Sequence, residues 1–149
     1  MKPLLISRCL LGEKCRYDGK SKPLPDETLQ ALRAQYALIP VCPEVLGGLP
    51  TPRTPSERQG DRVVMKTGAD VTKEYRLGAE AALQAAQENR VCAAVLKERS
   101  PSCGKGKIYD GSFTGTLTEG NGVTAEMLLE KGFTVYGESE IDRLIKSGE

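Results

Sequence analysis

Four short apolar runs alternate with longer polar and amphipathic segments, and this alternation restricts the fold more than any other feature of the chain. The runs occupy residues 4–7, 37–41, 91–96 and 133–136. Short continuous apolar runs are typical of parallel strands whose sheet is covered by helices on both faces. Right-handed crossovers between such strands place the helices on those two faces. The sequence therefore predicts one α/β domain over residues 1–149, with a mainly parallel sheet.

The segments between the runs contain the start and stop signals of helices. Leu29, Leu32 and Tyr36 recur at helical spacing, and Gly132 is expected to end a later helix. We also expect an alanine-rich helix from about residue 73 to residue 89 and a last helix near the end of the chain. The residues predicted to begin or cap these helices are Asp26, Thr72, Thr124, and Ser139 with Asp142.

Other segments carry turn residues without helical periodicity. Residues 42–60 contain four prolines and three glycines, and we expect a long functional loop there. Residues 61–66 are expected to form a short exposed strand. A loop at residues 100–107 precedes a small hairpin that is predicted at residues 109–116.

The chain contains no histidine, which excludes several kinds of active site. Histidine is the usual general base at neutral pH and the commonest nitrogen ligand of metals. Serine triads, histidine-activated cysteine proteases and zinc motifs built on histidine are therefore excluded. The net charge of +1, from 21 basic and 20 acidic residues, gives no global field that would attract nucleic acid.

The five cysteines are an odd number, and no apolar segment resembles a signal peptide or a membrane span. We therefore expect a cytoplasmic protein that does not associate with membranes. In that compartment cysteines serve metal binding or catalysis more often than disulfides. Cys92 is an exception, because it lies inside the third apolar run, where we expect a buried small side chain at the far end of the sheet.

Three other cysteines follow the predicted strands. Cys9 comes two residues after the first strand, Cys42 directly follows the second, and Cys103 lies in the loop that leaves the third. Because the carboxyl ends of parallel strands meet at one edge, we expect these thiols at a common ligand crevice. Cys15 lies in the same loop as Cys9 and would either join the group or line it.

Several roles are compatible with three convergent thiols. Structural zinc is disfavoured, because Cys9 and Cys15 are too far apart for a C-x2-C knuckle. A disulfide-exchange relay is disfavoured, because the chain has no C-x-x-C motif. An iron–sulfur cluster can be bound by thiolates alone, without histidine. It is therefore one of the roles that stay open for these thiols, and the other is a structural or uncommitted role.

Polar and basic residues flank these thiols. Glu44 follows Cys42 by two positions, and Ser100 precedes Cys103 by three. The carboxylate would move protons and the hydroxyl would position water or substrate, whereas a solvated charge and a turn hydroxyl are the simpler alternatives. The basic residues of these loops would either keep thiolates ionised or form a solvated rim. They are Arg8, Lys14, Arg16, Lys20, Lys22, Lys97, Arg99, Lys105 and Lys107.

Three blocks of the sequence form a distinctive pattern around the cysteines. The first block is SRCLLG at residues 7–12, followed by CRYDG at residues 15–19. The second block is VCPE at residues 41–44, followed by GGLPTPR at residues 47–53, and the third is KERSPSCG at residues 97–104. Together these blocks resemble the thiouracil desulfidase family, and the resemblance covers essentially the whole chain.

The resemblance implies a Rossmann-like domain that holds a [4Fe-4S] cluster through Cys9, Cys42 and Cys103 and leaves one iron open. It also implies that Glu44 and Ser100 are the catalytic acid/base pair. The implied reaction converts a thiolated pyrimidine of the 2- or 4-thiouracil type to its oxo form, with release of sulfide and without electron transfer.

Several expectations follow from this likeness. A free thiolated base or nucleoside is the expected substrate, and RNA is a less favoured one. Cys15 lies inside the family pattern and is expected to contact the cluster ligands without being one of them. Two alternatives stay open, a cysteine-based sulfur or persulfide transfer protein and a metal-stabilised binding domain without catalysis.

Overall fold

The protein folds around a parallel sheet whose strands are the apolar runs of the sequence. The computed structural model describes residues 1–147. Its strands are β1 Lys2–Ser7, β2 Tyr36–Val41, β3 Ser56–Gln59, β4 Arg62–Met65, β5 Ala93–Leu96, β6 Lys107–Tyr109, β7 Leu117–Glu119 and β8 Val135–Gly137. Its helices are α1 Asp26–Gln35, α2 Pro43–Leu46, α3 Thr72–Glu88, α4 Val123–Glu130 and α5 Ile141–Ser147. Short 3₁₀ helices, Arg8–Leu11 and Glu138–Glu140, follow β1 and β8.

The central sheet has the strand order β2-β1-β5-β8, and its three strand pairings are all parallel. Ser7 pairs with Val41, and Ile6 pairs with both Pro40 and Val95. The strands β1, β2 and β5 therefore reach their carboxyl ends at the same edge, and the loops that leave them start side by side.

Helices cover both faces of this sheet. Leu32 of α1 and Leu144 of α5 share one core cluster with Ile6. Ala82 of α3 shares the other core cluster with Leu5, because neighbouring residues of a strand point to opposite faces. All five side chains are fully buried. The predicted α/β architecture is thus confirmed.

Two antiparallel hairpins, β3–β4 and β6–β7, lie outside the central sheet. The second hairpin is the predicted one. The prediction of a long loop at residues 42–60 is wrong, because that segment contains α2 and β3. The expected exposure of residues 61–66 is also wrong at β4, where Val63 packs with Leu49 and Tyr75 in a third apolar cluster. Contacts with distant parts of the chain thus determine the structure of this region, although turn residues dominate the composition of residues 42–60.

Some helix boundaries differ from the prediction. Tyr36 begins β2 instead of ending α1, because its backbone pairs with Lys2 of β1. Thr72 is the first residue of α3, and its N–H donates to the carboxylate of Asp70 at 2.9 Å. Thr124 lies inside α4 and is buried. The carboxylate of Asp70 therefore performs the task that the sequence assigned to Thr72.

The C-terminal region shows a further difference. Ser139 does not cap α5, because its hydroxyl donates to the carboxylate of Glu98. The N–H of Gly137 instead donates to Glu140 at 2.9 Å, within the 3₁₀ turn that precedes α5. No helix of residues 1–147 combines the length and the apolar composition that crossing a membrane requires.

Two glycines allow α2 to pack backbone to backbone on α3. A Cβ atom on Gly78 would lie 1.8 Å from the carbonyl oxygen of Pro43, and one on Gly47 would lie 1.9 Å from a backbone oxygen of α3. Real side chains never approach this closely, so larger residues would separate the helices. The contact places Glu44 of α2 beside Tyr75 of α3.

Candidate functional site

A cavity of about 510 Å³ opens at the carboxyl edge of the central sheet. Its walls come from the loops after β1, β2 and β5, from α3 and from the two hairpins. This is the position at which open α/β sheets bind ligands, and the volume is typical of sites for small molecules. The residues on its walls therefore indicate what it binds.

Three thiols from distant parts of the sequence line this cavity. Cys9 lies in the 3₁₀ helix after β1, Cys42 directly follows β2, and Cys103 lies in the loop after β5. These residues are 7%, 8% and 5% exposed, so they reach the cavity but hardly meet bulk solvent. The structure thus brings together the three cysteines that the strand order predicts at this edge.

Cys15 is a fourth thiol at the same place. It lines the cavity, and the neighbouring thiols of Cys42 and Cys9 both affect its pKa. The Cys42 thiol also donates to the carbonyl oxygen of Cys15 at 3.8 Å. The sequence left open whether Cys15 joins the group, and the structure puts it in contact with two members.

Burial and mutual contact favour the neutral form of these thiols in the polypeptide alone. The hydrogen bond with Cys15, together with burial, raises the pKa of Cys42 far above its usual range. Burial raises the pKa of Cys103 to about 12, against an opposing hydrogen bond with Ser7. A thiol that coordinates a metal does so as a thiolate and gives up its proton to the solvent, so binding of a metal here would release protons.

The donor set suits a polynuclear cluster better than a single ion. Within residues 1–147, no three cysteine, aspartate or glutamate side chains converge closely enough to hold one metal ion. A cluster offers a separate iron to each thiolate and needs no histidine, so thiols spread around a cavity fit it.

Glu44 reaches the cavity from α2, and two donors hold its carboxylate. The hydroxyl of Tyr75 donates to Oε1 at 2.6 Å, and Nε of Arg53 donates to the same oxygen at 3.3 Å. Burial, followed by the charge of Glu44, raises the pKa of Tyr75 far above its usual range, so this hydroxyl stays a donor. In the part of the chain that the structure describes, Oε2 accepts no hydrogen bond. That oxygen is available to a water molecule in the cavity.

Arg53 joins the loop after β2 to the loop after β1. Its guanidinium donates to the carbonyl oxygens of Cys15 at 2.9 Å and Pro50 at 3.1 Å, and to the hydroxyl of Thr51 at 3.0 Å. The side chain is only 2% exposed, so its ion pair with Glu44 is shielded from water. Sequence reasoning did not assign a role to Arg53, and its place at the end of the GGLPTPR block is the only signal.

The hydroxyl oxygen of Ser100 already accepts two hydrogen bonds. They come from the backbone N–H groups of Ser102 and Cys103, both at 3.1 Å. This is the turn arrangement that the sequence offered as the simpler alternative. Two accepted bonds use the lone pairs of the oxygen, so Ser100 is left as a donor into the cavity that it lines.

Cations surround the thiols. Besides Arg53, the basic residues that line the cavity are Arg8, Arg16, Lys22, Lys66, Lys97 and Arg99. Cys42, and to a smaller extent the charge of Arg8, lower the pKa of Cys15, but Cys9 and burial together raise it above its usual value. The other predicted basic residues, Lys14, Lys20, Lys105 and Lys107, lie outside the cavity lining. Positive potential therefore accompanies the site, although part of the basic loop sequence is solvated rim.

The hairpins provide a wall that the sequence did not predict. The buried carboxylate of Glu57 accepts hydrogen bonds from backbone N–H groups of the loop between β6 and β7. Aromatic side chains are concentrated around the cavity, since four of the seven aromatic residues line it, and two of these four belong to the β6–β7 hairpin. The four are Tyr17, Tyr75, Tyr109 and Phe113. Flat apolar surfaces of this kind suit a heterocyclic ligand.

Cys92 lies at the opposite end of the sheet. Its backbone N–H donates to the carbonyl oxygen of Pro3 at 3.0 Å, next to the start of β1. The sequence predicted a buried side chain inside the strand, but Cys92 is only partly buried. The reason is that β5 begins at Ala93, so Cys92 lies just before the strand. Cys92 is thus separate from the four thiols of the cavity.

Comparison with known proteins gives consistent results over the whole chain. Residues 4–140 match the family model described as 2-thiouracil desulfurase. An uncharacterised protein of Bacillus subtilis, YbbK, is 39% identical over 152 residues, which cover 95% of this chain and 99% of that one. A solved structure described as the [4Fe-4S]-dependent thiouracil desulfidase TudS is 45% identical, with a TM-score of 0.94 over 99% of this chain and 97% of that chain. The matched segment includes every residue of the cavity.

Proposed function

The chain belongs to the 2-thiouracil desulfurase family, and from this premise we propose that it removes sulfur from a thiolated pyrimidine with the help of an iron–sulfur cluster. Water supplies the oxygen, so the thiocarbonyl becomes a carbonyl and the sulfur leaves as sulfide. No electron is transferred in this exchange. The observation that carries the proposal is one cavity lined by thiols from three strand ends together with a held carboxylate.

Cys9, Cys42 and Cys103 are the proposed ligands of a [4Fe-4S] cluster. They are buried, they come from three separate loops, and cations of the cavity wall would compensate the charge of an anionic cluster. Three protein ligands would leave one iron without a protein ligand. When bound, the cluster supplies a soft Lewis acid for a thiocarbonyl sulfur, which hard cations bind poorly.

Glu44 is the proposed general base that takes a proton from the attacking water. Arg53 and Tyr75 both hold Oε1, which fixes the carboxylate and leaves Oε2 for the water. Neither donor needs to move during the reaction, so the carboxylate stays oriented. The proton would then pass from Glu44 toward the departing sulfide.

Ser100 is proposed to orient the substrate by donating a hydrogen bond. Its oxygen is committed to two backbone N–H groups, and accepted hydrogen bonds make a hydroxyl a better donor. A carbonyl oxygen or ring nitrogen of the pyrimidine would accept this bond. This assigns Ser100 to substrate binding as a hydrogen-bond donor, and assigns the base to Glu44 alone.

A free thiolated base or nucleoside is the proposed substrate. The cavity has the volume of a small-molecule site, and aromatic residues on its wall suit a planar ring. Its basic residues keep thiolated RNA as an alternative, which would bind chiefly through phosphates. Comparing a thiolated base, its nucleoside and a thiolated oligonucleotide under the same conditions separates these substrates.

Sulfur transfer is a second candidate function, and the contact of Cys15 with Cys42 and Cys9 favours it. Adjacent thiols can pass a persulfide sulfur between them. The two functions differ in what Cys15→Ser would do. A desulfidase that uses Cys15 only as a contact of the ligands keeps its cluster and most of its turnover, whereas a relay through Cys15 loses sulfur transfer.

The proposal is tested by purifying the protein without oxygen. We expect a brown protein with about four iron and four sulfide per chain. Added 2-thiouracil or 4-thiouracil should give uracil and sulfide without an external reductant. A protein that contains zinc or no metal, or that leaves every thiolated base and nucleoside unchanged, would contradict the proposed function.

A further inference from the structure

A buried carboxylate of β3 makes contacts that the proposed chemistry does not use. Glu57 is 9% exposed, and its Oε1 accepts the N–H of Gly111 at 2.9 Å and the N–H of Phe113 at 3.1 Å. Among residues 1–147, it forms no salt bridge. A buried charge is costly unless it is bound, so these two backbone groups are what keep Glu57 inside the protein.

The loop that Glu57 holds, residues 110–116, is also fixed by its neighbour on β3. The amide of Gln59 donates to the carbonyl oxygen of Gly111 at 2.8 Å, so both backbone groups of this glycine are bound by β3. A Cβ atom on Gly111 would lie 2.6 Å from Gln59 and 2.9 Å from the carbonyl oxygen of Arg58. The loop therefore sits directly on β3, and only glycine permits this approach.

Phe113, at the centre of this loop, has an unusual backbone conformation. Its φ is +57°, in the left-handed region that residues with a bulky side chain rarely adopt. Such a conformation persists only where surrounding contacts impose it. The hydrogen bond from its N–H to Glu57 is such a contact, and Phe113 lines the cavity.

We propose that Glu57 is a positioning residue that holds loop 110–116 so that the ring of Phe113 forms an apolar wall against which the pyrimidine ring packs. The inference rests on the proposed function, because it names a surface that recognises the same substrate. Stacking of a base on an aromatic ring contributes to binding without taking part in bond changes. Loss of this wall should therefore weaken substrate binding and leave the chemical step unchanged.

Steady-state kinetics on the cluster-containing enzyme test the inference. Phe113→Ala and Glu57→Ala should each raise KM for thiouracil about tenfold, with kcat within about twofold and the iron content unchanged. Glu57→Gln keeps an oxygen that can accept both N–H groups, so its KM should stay within about threefold of the wild type. Glu119→Ala, an exposed change on β7 of the same hairpin, is the matched control and should leave both parameters unchanged.

A double variant separates positioning from a general structural role. If Glu57 acts through Phe113, then Glu57→Ala should have almost no further effect on KM in the Phe113→Ala protein. Independent, additive effects on KM would overturn the inference. A fall in kcat or in iron content for Glu57→Ala alone would also overturn it, because positioning of the substrate ring predicts neither.

Binding can be measured without turnover, because the chain contains no tryptophan. In the variant Phe113→Trp, the introduced indole is the only one, and its emission should change when uracil, the proposed product, is added. Phe133→Trp replaces the other phenylalanine, which is partly buried against the core and does not line the cavity, and should not respond. Adding Glu57→Ala to Phe113→Trp should shift the emission toward that of an exposed indole and raise the uracil concentration for half the change about tenfold.

The failures of the two proposals are distinguishable. The inference is overturned if the wild-type enzyme is active but the Glu57→Ala variant has the same KM, or if the emission of Phe113→Trp does not change when uracil is added. Either result would leave the desulfidase function intact. A wild-type protein that retains its cluster but desulfurates no thiolated base or nucleoside would overturn the proposed function and, with it, this inference.

Discussion

The two walls of the cavity are built in different ways. The wall at the sheet edge carries thiols and Glu44 on short segments that begin where buried strands end. The wall formed by the hairpins carries Tyr109 at the end of β6 and Phe113 on loop 110–116, and Glu57 binds the backbone of that loop. The positions of the reactive groups thus depend on the rigid core. The position of the loop proposed to recognise the pyrimidine ring depends on one carboxylate. The comparison indicates that chemistry and binding can be changed separately in this protein.

Removal of a proposed cluster ligand is the largest expected effect and tests the first wall. Cys42→Ala should abolish both iron binding and desulfuration, because two remaining ligand thiols would hold the cluster poorly. Iron and sulfide analysis of the protein purified without oxygen measures the loss. Cys92→Ala is the matched control and should keep both, at a cost of about 1 kcal/mol in unfolding free energy. Loss of iron in the Cys92 variant would contradict the separation of this residue from the cavity.

Replacing the proposed base comes next in size. Glu44→Gln should keep the cluster, because the amide still accepts the hydrogen bond of Tyr75, and should lower kcat by about 10²- to 10⁴-fold. Turnover of thiouracil at saturating substrate, with iron analysis of the same sample, gives both numbers. Glu80→Gln, on an exposed position of α3, serves as the control. A Glu44→Gln enzyme with full turnover would show that another group takes the proton.

The close contact between α2 and α3 predicts a smaller effect, which is on the free energy of unfolding. Alanine in place of glycine inside an exposed helix usually stabilises it by about 1 kcal/mol. At Gly78 the sign should reverse, because the new methyl group would overlap the carbonyl oxygen of Pro43, and overpacking of this kind costs about 1–3 kcal/mol. Urea unfolding of Gly78→Ala, with Gln84→Ala on the exposed part of α3 as control, measures the difference. A stabilised Gly78→Ala protein would contradict the close contact that places Glu44 beside Tyr75.

Much of the fold was predictable from the sequence, because the central strands are local apolar runs. The sheet, its helices on both faces and the hairpin at β6–β7 all follow from local patterns, each of which is contained in one short segment of the chain. The elements that the sequence missed are short and depend on distant partners. α2 packs on α3 through Gly47 and Gly78, and β3 pairs with β4. Neither contact leaves a periodic signal in residues 42–60.

The site was predictable only at residues whose type is closely associated with one kind of chemistry. Cysteines at strand ends stand out in a chain without histidine, whereas Tyr75, Arg53 and Glu57 belong to residue types that are common on surfaces. Their roles depend on burial, on partners 9 to 56 residues away and, for Glu57, on backbone groups of another hairpin. Such information exists only once the chain has folded, so apart from the place of Arg53 in the GGLPTPR block no local pattern could have identified them.

The smallest expected effect concerns Asp70, which precedes α3. The hydroxyl and N–H of Thr72, and then the guanidinium of Arg62, lower the pKa of Asp70 from 3.8 to about 2. Because the folded pKa lies below the unfolded one, the carboxylate stabilises the protein above about pH 4. That contribution is lost as the pH falls toward about 2. Asp70→Ala should therefore lower the urea midpoint slightly at pH 7 and leave it unchanged at the acid end, and it should not alter KM.

Asp110 is a second exposed carboxylate with a lowered pKa, and it belongs to the loop of the hairpin wall, whereas Asp70 lies outside the cavity lining. The hydroxyl and N–H of Ser112 lower the pKa of Asp110, which lies in loop 110–116 and is also exposed. Asp110→Ala should raise KM for thiouracil slightly, because it loosens the loop that carries Phe113, whereas Asp70→Ala should act on stability alone. Equal KM values in the two variants would mean that the order of loop 110–116 does not control binding. The recognition role would then have to be assigned to the sheet edge, where the thiols already lie.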